Sequence, residues 1–171
     1  PFMWDAHEEP DRRGLLELRY YQGLNAVMAE FLHRHPDVWV EICASGGRMI
    51  DLATMRHAHS LWITDYTGSD PDHAAGIRSG ANMVLPAQTV HQSFYYPAEH
   101  RETGEPVPEH YALAHFAGMF GISQNVKSWP EQDREMLSRM AALYKDVRHL
   151  LGGDYYTLTE QPEERDTWDA C

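Results

Sequence analysis

The segment Val38-Trp39-Val40-Glu41-Ile42-Cys43-Ala44-Ser45-Gly46-Gly47-Arg48 joins an apolar run to a glycine-rich turn. Residues 38–43 are apolar except for Glu41, which is typical of a strand buried in a sheet. The turn Ala44–Gly47 permits a sharp change of direction and a close approach of the backbone to a ligand or to packed neighbours. Helical spacing follows over residues 48–59. A strand, a tight turn and a helix in this order predict one unit of an α/β fold.

The same alternation extends on both sides of this unit. Upstream, residues 12–33 carry apolar side chains at helical spacing, and the apolar segment 1–5 before them has the character of a strand end. Downstream, short apolar runs at residues 61–64, 83–86 and 119–123 predict three further strands. The sequence therefore predicts five strands, each followed by a helix.

Local signals mark the helices that follow the last three strands. Asp70 and Pro71 form a helix start, with Asp as the N-cap and Pro at the first helical position. Residues 111–117 have helical spacing, and residues 128–131 match a capping box ahead of a long amphipathic helix. Residues 89–108 are predicted as a long loop, a kind of segment that is usually functional or disordered.

Alternating strands and helices predict an α/β fold with a parallel sheet covered by helices. Two architectures share this pattern, the open doubly wound sheet and the (β/α)8 TIM barrel. A complete barrel needs roughly 250 residues, and five strands do not close one. The pattern leaves two possibilities, an open sheet or five consecutive units of a barrel.

The composition narrows the classes of partner. The chain has 171 residues, and 43% of them are hydrophobic, which suits one domain with a core. A net charge of -12 disfavours nucleic acid as a partner, because an acidic surface repels phosphates. No apolar run approaches the ~20 residues of a membrane span, so no membrane association is expected. Cys43 and Cys171 are too far apart in sequence to form a disulfide framework.

Two aspartates fall at predicted strand ends. Asp5 ends the first strand and Asp65 ends the third, with Trp4 and Trp62 close in sequence. Because the carboxyl ends of parallel strands meet at one edge, we expect both carboxylates to face one pocket. Paired carboxylates beside aromatic side chains are typical of glycoside hydrolysis, although each Asp could equally serve as a helix cap.

Three other features allow more than one interpretation. Ser45 lacks the G-x-S-x-G context of a serine nucleophile, and the glycines around it could serve only for packing. His57 and His59 could bind a metal, but they fall late in a predicted helix without nearby carboxylates. Tyr95 and Tyr96 could stack on a sugar or could anchor the long loop.

The motifs of residues 41–48, of Asp51-Leu52 and of residues 61–67, in this order and spacing, resemble glycoside hydrolase family 36. Its members are α-galactosidases (melibiases) and their α-N-acetylgalactosaminidase relatives. The resemblance covers nearly the whole chain. It implies that residues 1–152 are the C-terminal part of a TIM-barrel catalytic domain, about strands four to eight, and that residues 153–171 begin a C-terminal β-sandwich domain.

The resemblance also implies roles for individual residues. Asp5 would be the nucleophile and Asp65 the general acid/base of a retaining, double-displacement mechanism. Substrate contacts would come from six further residues: Trp4, His7, Cys43, Gly46, Arg48 and Trp62. Met3 and His7 stand where the family commonly has Lys and Asn. Because of these differences, we expect the sugar of the substrate to be either galactose or a related α-linked sugar.

The expected function is therefore that of a glycosidase acting on an oligosaccharide or glycoside, with no metal and no organic cofactor. The alternatives are a non-catalytic carbohydrate-binding barrel fragment and a metal-dependent hydrolase on an open sheet. Both chain ends look cut, so we expect a longer parent protein and little activity in the isolated chain. Family habit gives a cytoplasmic location and a possible homo-oligomer for the parent.

Overall fold

The computed structural model of the protein describes residues 2–65, 70–160 and 170. Within these residues there are eight helices and four strands. The strands are β1 (Glu41–Ile42), β2 (Ser60–Trp62), β3 (Val90–Phe94) and β4 (Met119–Ile122). The helices are α1 (Phe2–Asp5), α2 (Leu15–Arg34), α3 (Ala44–Gly47), α4 (Leu52–Met55), α5 (Pro71–Asn82), α6 (Ala98–Thr103), α7 (Glu109–Leu113) and α8 (Glu131–Val147). Four 3-10 helices add Pro10–Arg12, Ala87–Thr89, Val126–Ser128 and Arg148–Gly152.

The four strands form one parallel sheet in the order β1-β2-β3-β4. Glu41 pairs with Ser60, and Trp62 pairs with His91. The predicted α/β class with a parallel sheet is confirmed. Strand order follows chain order, and the described sheet contains no reversal of the kind that marks a doubly wound fold.

One face of the sheet packs against helices. Side chains alternate along each strand, so Ile42, Leu61 and Val90 share a face and are buried together with Ile63. Helical residues such as Met28 and Ile77 pack against this cluster. A second cluster joins β3 to the long C-terminal helix, with these buried members: Phe94, Tyr96, Val107, Ala112, Trp129, Met136, Leu137 and Met140. The other face of the sheet is left for polar side chains.

Two helix starts are fixed by aspartate caps. Asp70 accepts hydrogen bonds from the backbone N–H groups of Asp72 and His73, which confirms the predicted start of α5. Asp51 accepts from Ala53 and Thr54 in the same way, so α4 begins there. The helix predicted over residues 48–59 is therefore reduced to a single turn, and Leu52 is 85% exposed instead of buried.

The predicted strand at residues 1–5 is wrong. Residues 2–5 form the helical turn α1, and the ring of Trp4 packs at 5.3 Å from that of Tyr20 in α2. A run of four apolar residues satisfies either conformation, because periodicity cannot separate a buried strand from a helical turn at that length. The sheet of the described residues consequently has four strands where five were predicted.

The predicted strand at residues 83–86 is also wrong. The N–H groups of Val84 and Leu85 donate to Ala81 O, so this segment is a turn that ends α5, and Val84 is 77% exposed. The strand is β3, inside the segment predicted as a long loop. Gln92 and Ser93 are buried within it, and such polar residues made the strand look like loop sequence.

The capping box at residues 128–131 is not formed. Ser128 Oγ donates to the carbonyl of Asn125, and Pro130 takes the N-cap position of α8 without a side-chain cap. The amphipathic helix itself is confirmed, because Met136, Leu137 and Met140 are buried along one side. The N-terminal helix is confirmed as α2, although Val27 on its predicted apolar face is 66% exposed.

The C-terminal residues have irregular structure as far as they are described. No strand forms over residues 154–160, where β character was predicted. Residues 161–169 and 171, which make up most of the predicted β-sandwich start, lie outside the described residues. Among the helices that are described, none has the length and apolar character to span a bilayer.

Candidate active site

Asp65 lies just beyond the carboxyl end of β2. The pairing of β2 with β3 continues past the strand, since the Ile63 N–H donates to His91 O at 3.2 Å. This fixed segment delivers the Asp65 side chain to an exposed position at the edge of the sheet. The indole Nε1–H of Trp62 donates to Asp65 Oδ1 at 3.2 Å. The predicted neighbours Trp62 and Asp65 are therefore brought together by a direct hydrogen bond.

The glycine turn is seated on the backbone that carries Asp65. Ser45 has φ 55°, Gly46 has φ 70° and Gly47 has φ 87°, so three consecutive residues are left-handed. A Cβ on Gly46 would clash with the amide nitrogen of Asp65 and lie 3.0 Å from the Thr64 carbonyl carbon. A Cβ on Gly47 would lie 2.6 Å from the carbonyl oxygen of Ile63. The predicted close approach is thus an approach to the end of β2.

Cys43 and Arg48 flank this turn. Cys43 is exposed at the end of β1, and its carbonyl accepts a hydrogen bond from the Gly47 N–H at 3.2 Å. Arg48 follows the turn and is also exposed. Both residues therefore lie beside the segment that positions Asp65, with side chains available to a ligand.

A polar network lies on the face of the sheet next to Trp62. The His91 ring meets the Trp62 indole edge-on, with centroids 5.0 Å apart and planes at 89°. His91 Nδ1 lies 2.5 Å from Glu41 Oε2, which also accepts from Ser60 Oγ at 2.9 Å. Ser60 Oγ accepts in turn from Trp39 Nε1 at 2.9 Å. The network crosses β1, β2 and β3 in a line.

Sequence reasoning missed Glu41 and His91 as members of the site. A signal was present for Glu41, because it is the one polar residue in an otherwise apolar run. For His91 the signal was weaker, since it depended on reading Val90, Gln92 and Phe94 as one face of a strand. Space for the His91 ring comes from Gly121 in β4, where a Cβ would lie 2.5 Å from His91 Nε2.

Trp4 and His7 belong to the N-terminal turn. The His7 N–H donates to Trp4 O at 3.0 Å, and His7 is exposed. Trp4 packs against Tyr20 of α2. The side chain of Asp5 lies outside the described part of the structure, so its pairing with Asp65 stays a prediction.

The structure bears on the alternatives left open for His57 and His59 and for Tyr95 and Tyr96. His59 Nδ1 accepts from the Val40 N–H at 3.1 Å, and its ring packs at 5.2 Å from Trp39, so it supports the β1–β2 junction. Across residues 2–65, 70–160 and 170, no three His, Cys, Asp or Glu side chains converge as a metal site would require. Tyr96 is buried and donates to Asp133 Oδ2 at 2.7 Å, which supports the anchoring role.

The pKa of Tyr96 is higher than that of an ordinary tyrosine. Burial raises the pKa of Tyr96 to about 12, and its hydrogen bond to the Asp133 carboxylate acts in the same direction. Asp133 also accepts from the Val107 N–H at 2.9 Å. One buried carboxylate therefore ties the segment after β3 to α8, on the side of the sheet away from Trp62.

Comparison with known proteins places these features in a family context. A family model described as melibiase matches residues 4–153. The α-galactosidase AgaA of Geobacillus stearothermophilus is 28% identical over 87% of this chain and 20% of its own length. The probable α-galactosidase C of Aspergillus terreus is 27% identical over 98% of this chain and 22% of its own. The chain thus spans about a fifth of the length of the curated relatives it matches.

Solved structures show the same likeness. A variant of the G. stearothermophilus family 36 α-galactosidase AgaA in complex with stachyose matches 90% of this chain and 21% of its own, with a TM-score of 0.77 and 26% identity. A second variant of that enzyme, in complex with raffinose, matches the same shares of the two chains with a TM-score of 0.75 and 25% identity.

Proposed function

The chain belongs to the melibiase family, and from this premise we propose that it is part of the catalytic domain of a retaining α-glycosidase acting on α-galactosides. The observation that carries the proposal is the arrangement of the residues around Asp65. The left-handed glycine turn is seated on the backbone of Asp65, and Trp62 donates a hydrogen bond to that carboxylate. An exposed carboxylate with a fixed backbone and an oriented oxygen is equipped to pass a proton to and from a bound glycoside.

The proposed reaction uses two displacements. In the first, the Asp5 carboxylate attacks the anomeric carbon, the bond to the leaving oxygen breaks, and Asp65 gives its proton to that oxygen. In the second, Asp65 takes a proton from water, the water oxygen attacks the anomeric carbon, and the bond to Asp5 breaks. The two carboxyl groups would lie about 5 Å apart, the separation of retaining enzymes.

The proposed substrate contacts lie around the glycine turn. Cys43 and the backbone at Gly46 would approach the sugar, and Arg48 would close one side of the pocket. Trp4 and His7 would contribute from the Asp5 side, and Trp62 would present its indole next to the acid. The relatives crystallised with raffinose and stachyose support α-galactosyl oligosaccharides as the substrate class.

The proposed architecture is a segment of a TIM barrel, about strands four to eight. The support is the sequential parallel order of β1 to β4, because barrel strands follow each other in chain order. Residues 153–171 would begin the next, β-rich domain. The isolated chain would then be an incomplete barrel, and the proposed activity belongs to the complete protein that contains it.

Covalent trapping tests the proposal. The complete protein would be incubated with a 2-fluoro α-galactosyl fluoride, whose fluorine slows the second displacement, and the labelled peptide would be identified by mass spectrometry. We expect the label on Asp5 and recovery of activity as the adduct turns over. The Asp65→Asn variant should retain the label on Asp5 and lose hydrolysis of alkyl galactosides. A label on another carboxylate would reject the assignment, and the absence of both labelling and hydrolysis would favour a non-catalytic carbohydrate-binding role.

A further inference from the structure

We infer that Glu41 and His91 form a positioning pair that fixes the indole of Trp62 and, through it, the carboxylate of Asp65. The inference rests on the proposed role of Asp65 as the general acid/base. It adds two residues to which the family resemblance gave no role, and it places them behind the acid instead of in contact with the sugar.

The hydrogen bond from Trp62 constrains one oxygen of Asp65. Asp65 is exposed, so its side chain would otherwise rotate among several rotamers. The indole N–H lies in the plane of a rigid ring, and its direction is set entirely by the orientation of that ring. A Trp62 ring held at one angle therefore selects one orientation of the carboxylate.

His91 holds the Trp62 ring. The two residues are paired directly across the parallel β2 and β3 strands, which places both side chains on the same face. The imidazole meets the indole at 89° with centroids 5.0 Å apart, the edge-to-face geometry that aromatic pairs favour. This contact limits rotation of the indole about its own side-chain bonds.

Glu41 holds His91 in turn. Its Oε2 lies 2.5 Å from His91 Nδ1, so the carboxylate is placed to accept a hydrogen bond from the imidazole. A carboxylate partner places the imidazole proton on Nδ1 and fixes the plane of the ring. The same Glu41 oxygen accepts from Ser60 Oγ, and Gly121 leaves room for the opposite edge of the imidazole.

The placement serves acid catalysis because proton transfer depends steeply on geometry. A displacement of about 1 Å in a catalytic group costs on the order of a hundredfold in rate. Glu41 and His91 belong to paired strands of the sheet, so they form the rigid support that an exposed acid lacks. Both residues act through Trp62, which makes them positioning residues.

The test uses leaving groups of different acidity in the complete protein. Fluoride departs without protonation, whereas the methoxy oxygen of methyl α-galactoside must take a proton from the acid to leave as methanol. Trp62→Phe, His91→Phe and Glu41→Gln should each lower kcat/KM for methyl α-galactoside by about tenfold to a hundredfold. The His91→Phe and Glu41→Gln variants should change kcat/KM for α-galactosyl fluoride by less than about threefold, because the first displacement then needs no acid.

Two controls separate the possible failures. Asp65→Asn should show the same leaving-group dependence in stronger form, and its absence there would overturn the acid assignment and this inference with it. His149→Gln, at an exposed position outside the network, should leave both substrates unaffected. If Asp65→Asn discriminates between the substrates but His91→Phe and Glu41→Gln lower both equally, the pair has only a structural role and the inference is wrong. Glu41→Gln keeps an acceptor oxygen and should be the mildest variant.

Discussion

His115 shows how burial sets the chemistry of a single side chain. It is fully buried, it packs edge-on against Phe94 at 5.5 Å, and its Nδ1 lies 3.0 Å from the Tyr111 carbonyl oxygen. The pKa of His115 is lowered to about 4, mainly by desolvation and to a smaller extent by the nearby positive charge of Arg78. The hydrogen bond to the Tyr111 carbonyl opposes this shift. The imidazole is therefore neutral in the folded chain at pH 7.

The lowered pKa of His115 makes folding sensitive to mild acid. The unfolded chain takes up the proton near pH 6.5, whereas the folded chain resists until about pH 4. Stability contributed by this group is present above pH 6.5 and is lost as the pH falls, by about 2 kcal/mol between pH 7 and pH 5. Urea unfolding at the two pH values should show this loss, and His115→Gln should reduce it by that amount. His110→Gln, at an exposed position in α7 five residues before His115, should not.

Gly118 occupies a position where any side chain would collide. A Cβ there would lie 2.6 Å from the Val90 carbonyl oxygen and would clash with Nη1 of the buried Arg78. Since the first neighbour is backbone, Gly118→Ala should destabilise the fold by about 1–3 kcal/mol. Gly80→Ala is the matched control, because Gly80 lies in α5 with open space around it and should gain about 0.5–1 kcal/mol. Equal unfolding midpoints for the two variants would contradict the contact.

Among the elements, the turn Ala44–Gly47 has the most direct bearing on function. It follows β1 directly, and its left-handed residues pack closely against residues 63–65. A turn that touches the backbone on both sides of Thr64 transmits any change in its own conformation to Asp65. The element therefore fixes the backbone of Asp65, the proposed acid/base, beside the proposed sugar contacts.

Replacing Gly46 by alanine should damage both stability and activity. Gly46 and Gly104 are both left-handed, at φ 70° and φ 73°, so each alanine variant should lose about 1–2 kcal/mol of stability. Only the Cβ at Gly46 meets backbone, at Thr64 and Asp65, whereas Gly104 has open space. Gly46→Ala should therefore lose about 1–3 kcal/mol more in thermal unfolding. It should also lower kcat/KM of the complete protein. An equal loss of kcat/KM in Gly104→Ala would contradict the role of the glycine turn in positioning Asp65.

The elements that could be predicted from sequence carry their signal locally. Asp70 and Pro71 define the start of α5 by themselves, and the glycine turn needs only its own residues to be recognised. The strand β3 could not be predicted because tertiary partners satisfy its polar residues. Ser93 Oγ, for example, lies 2.7 Å from Ser123 Oγ of the segment after β4. A buried polar residue in a strand is indistinguishable from a loop residue until its partner is known.

Prediction of the candidate site from the sequence is limited in the same way, because some of its residues are identified only by their tertiary partners. Asp65, Trp62 and the glycine turn can be proposed from the sequence because each lies at a recognisable strand end. Glu41 and His91 were missed because they belong to the site only through strand register, which brings residues 50 positions apart within 2.5 Å. The strand predicted at residues 83–86 lies seven residues before β3, so the prediction does not place His91 in a strand.

At the scale of the whole molecule, the two core clusters of the described residues pack helical side chains against one face of the sheet. Leu61 and Val90 are fully buried toward the helices, whereas Glu41 and Asp65 on the polar side are exposed. Helix α2 likewise leaves Val27 and Phe31 exposed, at 66% and 41%. A site of this kind remains open to water, and water weakens the electrostatic interactions on which glycoside cleavage depends.

The purified 171-residue chain should for this reason show little or no hydrolysis of a nitrophenyl α-galactoside. Four parallel strands do not close a barrel, so the acid would face solvent in place of an enclosed sugar site. Circular dichroism would establish that the chain is folded, and the complete protein assayed alongside would establish that the substrate is competent. The Asp5→Ala variant of the chain should be indistinguishable from the unsubstituted chain. Hydrolysis by the 171-residue chain that disappears in Asp5→Ala would show that these residues already form a working site without the rest of the barrel.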